Sequence, residues 1–387
     1  MSSPAVALPR RLRIAVFNRT FSPTGGGAER YSIALVEELA QRHDVHVFAQ
    51  QIDHALPGVT YHPIFAPFAR PRWINQLWFA LATWWATRSG FDVVHSHENT
   101  WHGQVQTVHV VPVKYSLFHH ISGWRWGLRI LKVITSPRLL TYLALEYFRY
   151  GAGPRRCVVV TSNSLKTVMA TAYPKTATVV VPPGVARILV TANADTRRQA
   201  RVELGLPVVG RCVLFVGNDY RKKGLTALVQ AMQSMSSDCY VAVVGNSAQI
   251  PGFLEEVKQS GIADRVYFLG SLNDVDVAYR AADCLAHPTL EDTFAMVVLE
   301  AMAHGLPVVV SSSRYCGISE SLNDHENALI LDDPRDAQAL ADALRSLLGD
   351  GALRQQLIDG GAGFARSYLW PKIARKQEKI YAATRSL

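Results

Sequence analysis

The chain has 387 residues, 49% hydrophobic and 18% charged; this exceeds the usual size of one core, so two globular domains with large buried sheets are expected and a low-complexity chain is excluded. The net charge of +9 is uneven, with 20 Lys and Arg against 8 Asp and Glu as far as Val190 and 20 against 23 after it. A basic first half implies a polyanionic partner, for which anionic lipid and nucleic acid are the candidates.

In chain order, Ala5–Leu8 is apolar but precedes the cationic Arg10, Arg11 and Arg13. A signal peptide has the opposite order, so none is expected. Arg13–Asn18 (RIAVFN) predicts a strand, followed by a glycine-rich turn at Thr24–Gly27 and an amphipathic helix through Leu39. Three glycines there allow backbone N–H groups close to an anion, although a plain tight turn has the same composition. The G-x-G-x-x-G fingerprint of dinucleotide-binding dehydrogenases is absent.

His43–Gln50, Asp92–His97 and Cys157–Thr161 predict further strands, and the strand–helix rhythm implies a parallel doubly wound sheet. His95, His97, Glu98 and His102 follow the spacing H-x-H-E-x-x-x-H directly after a strand, not the helical H-E-x-x-H of zinc enzymes, and no metal is expected. Leu77–Ala86, one of the longest apolar stretches, falls well short of the roughly 20 residues a membrane-crossing helix needs. Between Pro71 and Tyr150 lie seven of the eight tryptophans, interleaved with Arg125, Arg129, Lys132, Arg138 and Arg149. Indoles beside cations suit a lipid headgroup interface, whereas ordinary packing under a solvated basic face is the plainer reading. No nucleic-acid-binding module is recognisable, so nucleic acid is not expected as a partner.

A second strand series begins at Cys212 and continues through Tyr240–Gly245, Val266–Gly270, Cys284–His287, Pro307–Val310 and Ala328–Leu331, with the boundary between the halves falling at about Pro183–Gly210. The expected domains are 1–190, 191–369 and a basic helix over 370–387. Asp274-Val275-Asp276 is formally D-x-D, but Asn273 and Asp274 read better as the cap of a helix over Val275–Ala282. Five scattered cysteines lack metal-ligand spacing and read as free thiols of a reducing cytoplasm.

The densest signal is His287–Gly305 (HPTLEDTFAMVVLEAMAHG). Asp292 and Thr293 can cap a helix that Gly305 ends, and Asp292 and Glu300 stand eight apart along it. Ionised carboxylates make strong hydrogen bonds to sugar hydroxyls, roughly 1.5–3 kcal/mol each.

This segment resembles the E-x7-E signature of family 4 retaining glycosyltransferases, E-x-F-G-x-x-x-x-E-A-M-A-x-G. Phe294, Glu300, Ala301, Met302, Ala303 and Gly305 match; Asp292 replaces the first Glu, with Glu291 beside it as an alternative, and Ala295 replaces a Gly. Gly25, Gly26 and Gly27, with Glu29 and Arg30, are similar to that family's GG-x-E-R loop, Pro182–Val185 to its P-P-G-[IV] element, and Ser162-Asn163-Ser164 to its S-x-S. Phe215–Gly224 (FVGNDYRKKG) resembles its V-G-R-x-x-x-x-K-G with Asn218 in place of Arg, and lies nearer the loop of the lipopolysaccharide core glucosyltransferase branch.

The resemblance implies a GT-B fold, two Rossmann-like domains facing across a cleft, with the last helix crossing back to the first domain. It further implies retaining transfer of a hexose, glucose in that branch, from a UDP-linked or related nucleotide sugar to a lipopolysaccharide-core or lipid-linked acceptor. In this scheme His109, Lys222, Lys223 and Asp292 are catalytic. Gly25, Gly26, Gly27, Asn218, Arg221, Thr293, Phe294, Ala295 and Glu300 bind the donor, with Glu300 on its ribose. Neither metal nor cofactor is implied, and the setting is the inner face of the cytoplasmic membrane. A soluble acceptor, a nucleotide-sugar epimerase, or a non-catalytic nucleotide-sugar binder are the other readings.

Overall fold

The computed structural model describes residues 11–23, 26–68, 70–119, 121–153, 155–189 and 191–385, so Gly25 lies outside the described residues. Two compact units are present. One holds the residues as far as Thr161, Lys166–Val181 and those from Ala374 on; the other holds Ser162–Leu165 and Pro182–Ile373.

The strands of the first unit are β1 (Arg13–Phe17), β2 (Thr20–Phe21), β3 (Asp44–Ala49), β4 (Gln51–Ile52), β5 (Val59–Pro63), β6 (Val93–Ser96), β7 (Val105–Val108), β8 (Cys157–Val160) and β9 (Thr178–Val180). Its helices are α1 (Gly27–Ala40), α2 (Arg72–Thr87), α3 (Val113–Phe118), α4 (Trp124–Ile134), α5 (Pro137–Arg149) and most of α6 (Asn163–Ala172). One parallel sheet runs β5-β3-β1-β6-β7-β8-β9, and β2 pairs with β4.

The second unit contains strands β10 (Arg211–Val216), β11 (Cys239–Val244), β12 (Val266–Gly270), β13 (Cys284–His287), β14 (Val308–Ser311) and β15 (Leu329–Leu331). Its helices are α7 (Ala194–Glu203), α8 (Leu225–Gln233), α9 (Ile250–Gln259), α10 (Asp276–Ala281), α11 (Met296–Ala303), α12 (Ala337–Gly349) and α13 (Gly351–Ala365), after which α14 (Trp370–Arg385) follows. The sheet is parallel in the order β12-β11-β10-β13-β14-β15.

Both sheets are covered on both faces, which is why their strands read as continuous apolar runs. In β10 and β11 alternate residues serve two cores. Leu214 and Ala242 belong to one, Phe215 and Val243 to the other. The larger of these side chains, such as Leu214 and Phe215, each contribute roughly 1.5–3 kcal/mol when fully buried.

Strand order reverses between β1 and β6 in the first sheet and between β10 and β13 in the second. In open parallel sheets ligands settle beyond the C-terminal strand ends at such a reversal. Two segments therefore matter in the second unit, 217–224 after β10 and 288–295 after β13. Gly224 joins them closely. Its φ is +82°, and a Cβ there would collide with the carbonyl of Pro288, so only glycine fits.

Candidate active site

After β10 the chain turns through Asn218 to Lys223, and Lys223 N donates to Asp219 O at 2.8 Å. This turn aims the Lys223 ammonium at the segment after β13. Its Nζ lies 2.5 Å from Asp292 Oδ2 and donates to Glu291 O at 3.2 Å. Asp292 is fully committed: its Oδ1 accepts from Phe294 N at 3.2 Å and Ala295 N at 2.9 Å. The buried His287 at the end of β13 places Nε2 3.4 Å from Asp292 Oδ2. Burial pushes the Asp292 carboxyl up, but His287 and Lys223 outweigh it and hold the group well below its ordinary value. His287 is lowered by burial against the opposing pull of Asp292.

The helix expected to begin at Asp292 or Thr293 begins instead at Met296. Asp292 closes the turn ahead of it, and Ala295 takes up a left-handed φ of 71°. Helical dihedrals cannot start earlier because residues 292–294 are held in extended pairing with 315–318. Asp292 N donates to Tyr315 O at 2.8 Å and Ile318 N to Phe294 O at 3.0 Å. Thr293 rides on this strip, and Phe294 is buried against Tyr368 with rings 6.1 Å apart.

The two other cations of the FVGNDYRKKG segment have separate acidic partners. Lys222 Nζ pairs with Glu291 Oε1 at 3.0 Å, both exposed. Arg221 turns towards α9, 3.3 Å from Glu256 and over the Phe253 ring, so it is not gathered with Lys223. Gln249, which no sequence motif marks, braces the turn: its Nε2 donates to Asn218 O at 2.7 Å and its Oε1 accepts from Tyr220 N at 2.9 Å.

One turn into α11 from Met296, Glu300 accepts a hydrogen bond from the Tyr279 hydroxyl at 2.8 Å. The Tyr279 ring stacks on His304, with centroids 4.7 Å apart. The Nε2 of His304 sits 3.3 Å from Asp276 Oδ1, and that contact holds the Asp276 carboxyl below its ordinary value. Asp274 Oδ1 accepts from Asp276 N at 2.9 Å, so both acids of the D-x-D triplet are used at the start of α10. Tyr279 and His304 carry no motif signal; only their contacts reveal them.

In the first unit Gly26 precedes α1, and a Cβ there would lie 3.2 Å from Glu29 Oε2. Gly27 is the first residue of that helix. Beyond β6 and β7 a histidine stack forms. His97 Nδ1 lies 3.0 Å from His109 Nε2, and Tyr31 packs edge-on against His109 at 5.0 Å. Burial, reinforced by Arg149, lowers His109 to about 3, leaving it neutral at physiological pH. His95 is structural: its nitrogens reach Tyr381 Oη and Thr107 Oγ1, each at 2.7 Å. Glu98 is taken by Arg19 at 3.0 Å. Among the described residues no group of three or more His, Cys, Asp or Glu could hold a metal.

The tryptophan-rich region forms α2, α4 and α5. Trp85 is 62% and Trp124 75% exposed. On α4 the buried Val133 faces inward, so the helical period carries the exposed Trp124, Leu128 and Leu131 to the far side, with Arg125, Arg129 and Lys132 as an adjacent stripe. This helix therefore exposes large apolar side chains together with its cations. No described helix is long and apolar enough to cross a membrane.

Residues 25–187 match the sequence-family model described as Glycosyltransferase Family 4, and residues 196–363 match that described as Glycosyl transferases group 1. The chain is 33% identical over 213 residues to a D-inositol 3-phosphate glycosyltransferase of Xylanimonas cellulosilytica, covering 52% of this chain and 50% of that protein. It thus spans about half the length of the curated relatives it matches. Among solved structures, WaaG, a glycosyltransferase involved in lipopolysaccharide biosynthesis, superposes with a TM-score of 0.80 at 20% identity, covering 95% of this chain and 99% of WaaG. HepE of Anabaena, in complex with UDP-glucose, gives 0.73 at 17% identity, covering 97% and 100%. With both halves matched and two parallel-sheet α/β units of GT-B architecture, the chain belongs to the group 1, family 4 glycosyltransferases.

Proposed function

We propose that the chain is a retaining hexosyltransferase that moves glucose from UDP-glucose to a hydroxyl of a lipopolysaccharide-core or other lipid-linked acceptor. The observation that carries this reading is Lys223 held beside Asp292 at the strand-order reversal, with Glu300 fixed by Tyr279 one turn into α11. Lys223 supplies positive charge where a diphosphate would leave, and such a preorganised group is worth about 2.7–4 kcal/mol in a transition state. Glu300 offers a carboxylate to ribose hydroxyls, and Thr293, Phe294 and Ala295 are assigned to the hexose by their motif position.

Asp292 acts through Lys223, since its carboxylate already accepts from Lys223 Nζ, Phe294 N and Ala295 N. Neutral His109 is assigned to the donor sugar, and the loop at Gly25, Gly26 and Gly27 to the diphosphate, by their motif positions. The leaving phosphate takes the acceptor proton in a front-face displacement, and neither metal nor cofactor is called for. The cationic, indole-rich α4 rests on an anionic membrane surface, the inner face of the cytoplasmic membrane. HepE with UDP-glucose supports the donor, and WaaG the acceptor class.

Calorimetry against a panel of nucleotide sugars without metal tests the donor: micromolar-range binding of UDP-glucose is expected, and no binding by a folded sample overturns the reading. A second reading, a soluble inositol-phosphate acceptor, is favoured by the Xylanimonas relative. Transfer to inositol phosphate in lipid-free buffer would establish it.

A further inference from the structure

We propose that a cavity between α2 and α5 takes up one hydrocarbon chain of an anionic membrane lipid, an inference that rests on the membrane reading above. The cavity has a volume of about 520 Å³, within the usual range of small-molecule sites. Leu77 of α2, Trp101, and Leu140, Ala144, Leu145 and Phe148 of α5 form its wall, and the Thr141 hydroxyl is the one polar side chain among them. A wall so largely apolar favours an apolar ligand.

The cavity is braced open. A single guanidinium, that of Arg156, donates to Phe148 O at 2.6 Å and to Trp101 O at 3.0 Å, tying two of its walls together. At its mouth Leu140 and Phe148 are 44% and 57% exposed. A preformed apolar slot with an apolar rim costs little reorganisation when a chain enters.

Charge on the neighbouring helix selects the class of chain. α4 packs against α5, and on it Trp124, Leu128, Arg125, Arg129 and Lys132, with Ile121, line a second cavity of about 490 Å³. No acid lies on α2 or α4, and the one acid of α5, Glu146, is buried and accepts from Val113 N and Lys114 N. The exposed charge beside the apolar slot is therefore wholly positive. An acyl chain in the slot, with its phosphate on the α4 stripe, satisfies both. A second copy of the chain or an uncharged apolar segment would leave the stripe unmatched.

The test places a bimane label on Thr141→Cys in the full chain, with labelled wild type as the control for the native thiols. The labelled chain is mixed with phosphatidylglycerol–phosphatidylcholine vesicles carrying a nitroxide either deep in the acyl chain or on the headgroup. The expected result is quenching at least about twofold stronger by the chain-borne nitroxide. Adding Ala144→Trp, which fills the cavity, should leave vesicle flotation intact and abolish that preference. Flotation with equal or stronger headgroup quenching overturns the cavity proposal and leaves the membrane reading standing. Absence of flotation overturns both. Lipid-free sedimentation showing a dimer that shields the label assigns the cavity to a second copy and overturns the proposal. Should Thr141→Cys fail to fold, Leu140→Cys at the mouth reports the same contrast.

Discussion

The hydroxyl of Tyr279 and the carboxylate of Glu300 stand 21 positions apart in the chain and 2.8 Å apart in space. Hydrogen bonds to a charged acceptor contribute about 1.5–3 kcal/mol. Tyr279→Phe keeps the ring stacked on His304 and removes only the donor. Donor affinity by calorimetry should fall roughly tenfold with little change in melting temperature; unchanged affinity would show that Glu300 needs no support or does not contact donor.

Lys223→Ala should lower the transfer rate by about 10²–10³ and also destabilise the fold by about 1–3 kcal/mol, because Asp292 is left half-satisfied in a buried site. The double variant Lys223→Met, Asp292→Asn separates the effects. Urea midpoints should recover towards wild type while activity stays lost.

Gly224→Ala forces a Cβ against Pro288 O at a φ of +82°. A loss of at least about 2 kcal/mol is expected, combining a left-handed penalty with the clash. Circular dichroism melting measures the stability, and donor affinity should fall in parallel because Lys223 adjoins the displaced turn.

Acid should destabilise the chain in two windows. His95 is lowered to about 3 by burial, with His109 and Arg149 adding to it. The unfolded chain therefore binds the extra proton below its ordinary value of about 6.5, and stability falls from there down to about pH 3, at up to about 1.4 kcal/mol per pH unit. Asp292 is likewise depressed, so its contribution is full above its ordinary value near 4 and fades in stronger acid. Urea titrations from pH 7 to 4.5 should show a shallower slope for His95→Gln than for wild type; equal slopes would remove His95 from the account.

Arg125→Ala, Arg129→Ala and Lys132→Ala together should weaken flotation on anionic vesicles by on the order of a hundredfold, taking about 1 kcal/mol per cation near a charged surface. The loss should be smaller at high salt. Retained flotation would place the contact elsewhere.

Much of the fold was legible because buried parallel strands carry a signal of their own. RIAVFN, CVLFVG and YVAVVG are apolar on both faces, and the structure turns each into a central strand with ends moved by at most one residue. The start of α11 was misread for a physical reason. Asp292 and Thr293 have cap chemistry, but pairing of 292–294 with 315–318 and the left-handed Ala295 delay the helix to Met296, and neither is visible in local composition. The motifs mark Lys223, Asp292 and Glu300 as candidates. The contacts that His287, Tyr279 and Gln249 make to Asp292, Glu300 and the 218–220 turn carry no such mark, because they join residues 5, 21 and 29–31 positions apart and depend on the sheet being built first. The divergence of Arg221 is of the same kind: Lys222 and Lys223 reach Glu291 and Asp292, whereas α9 supplies Glu256 to Arg221.

The bond between His95 Nδ1 and Tyr381 Oη spans 286 positions. Its two ends leave the ribosome far apart in time, with every residue of the second unit translated in between. Until residues from Ala374 onward emerge, β6 has formed without the helix that covers its fully buried histidine, and Ile380 and Tyr381 have not filled their places. The first unit is thus the earlier to start and the later to finish. Its non-local closure is the slow kind, and the interval exposes apolar surface of the sort that holdase chaperones recognise. A stalled or truncated chain ending before α14 would persist as that unfinished intermediate.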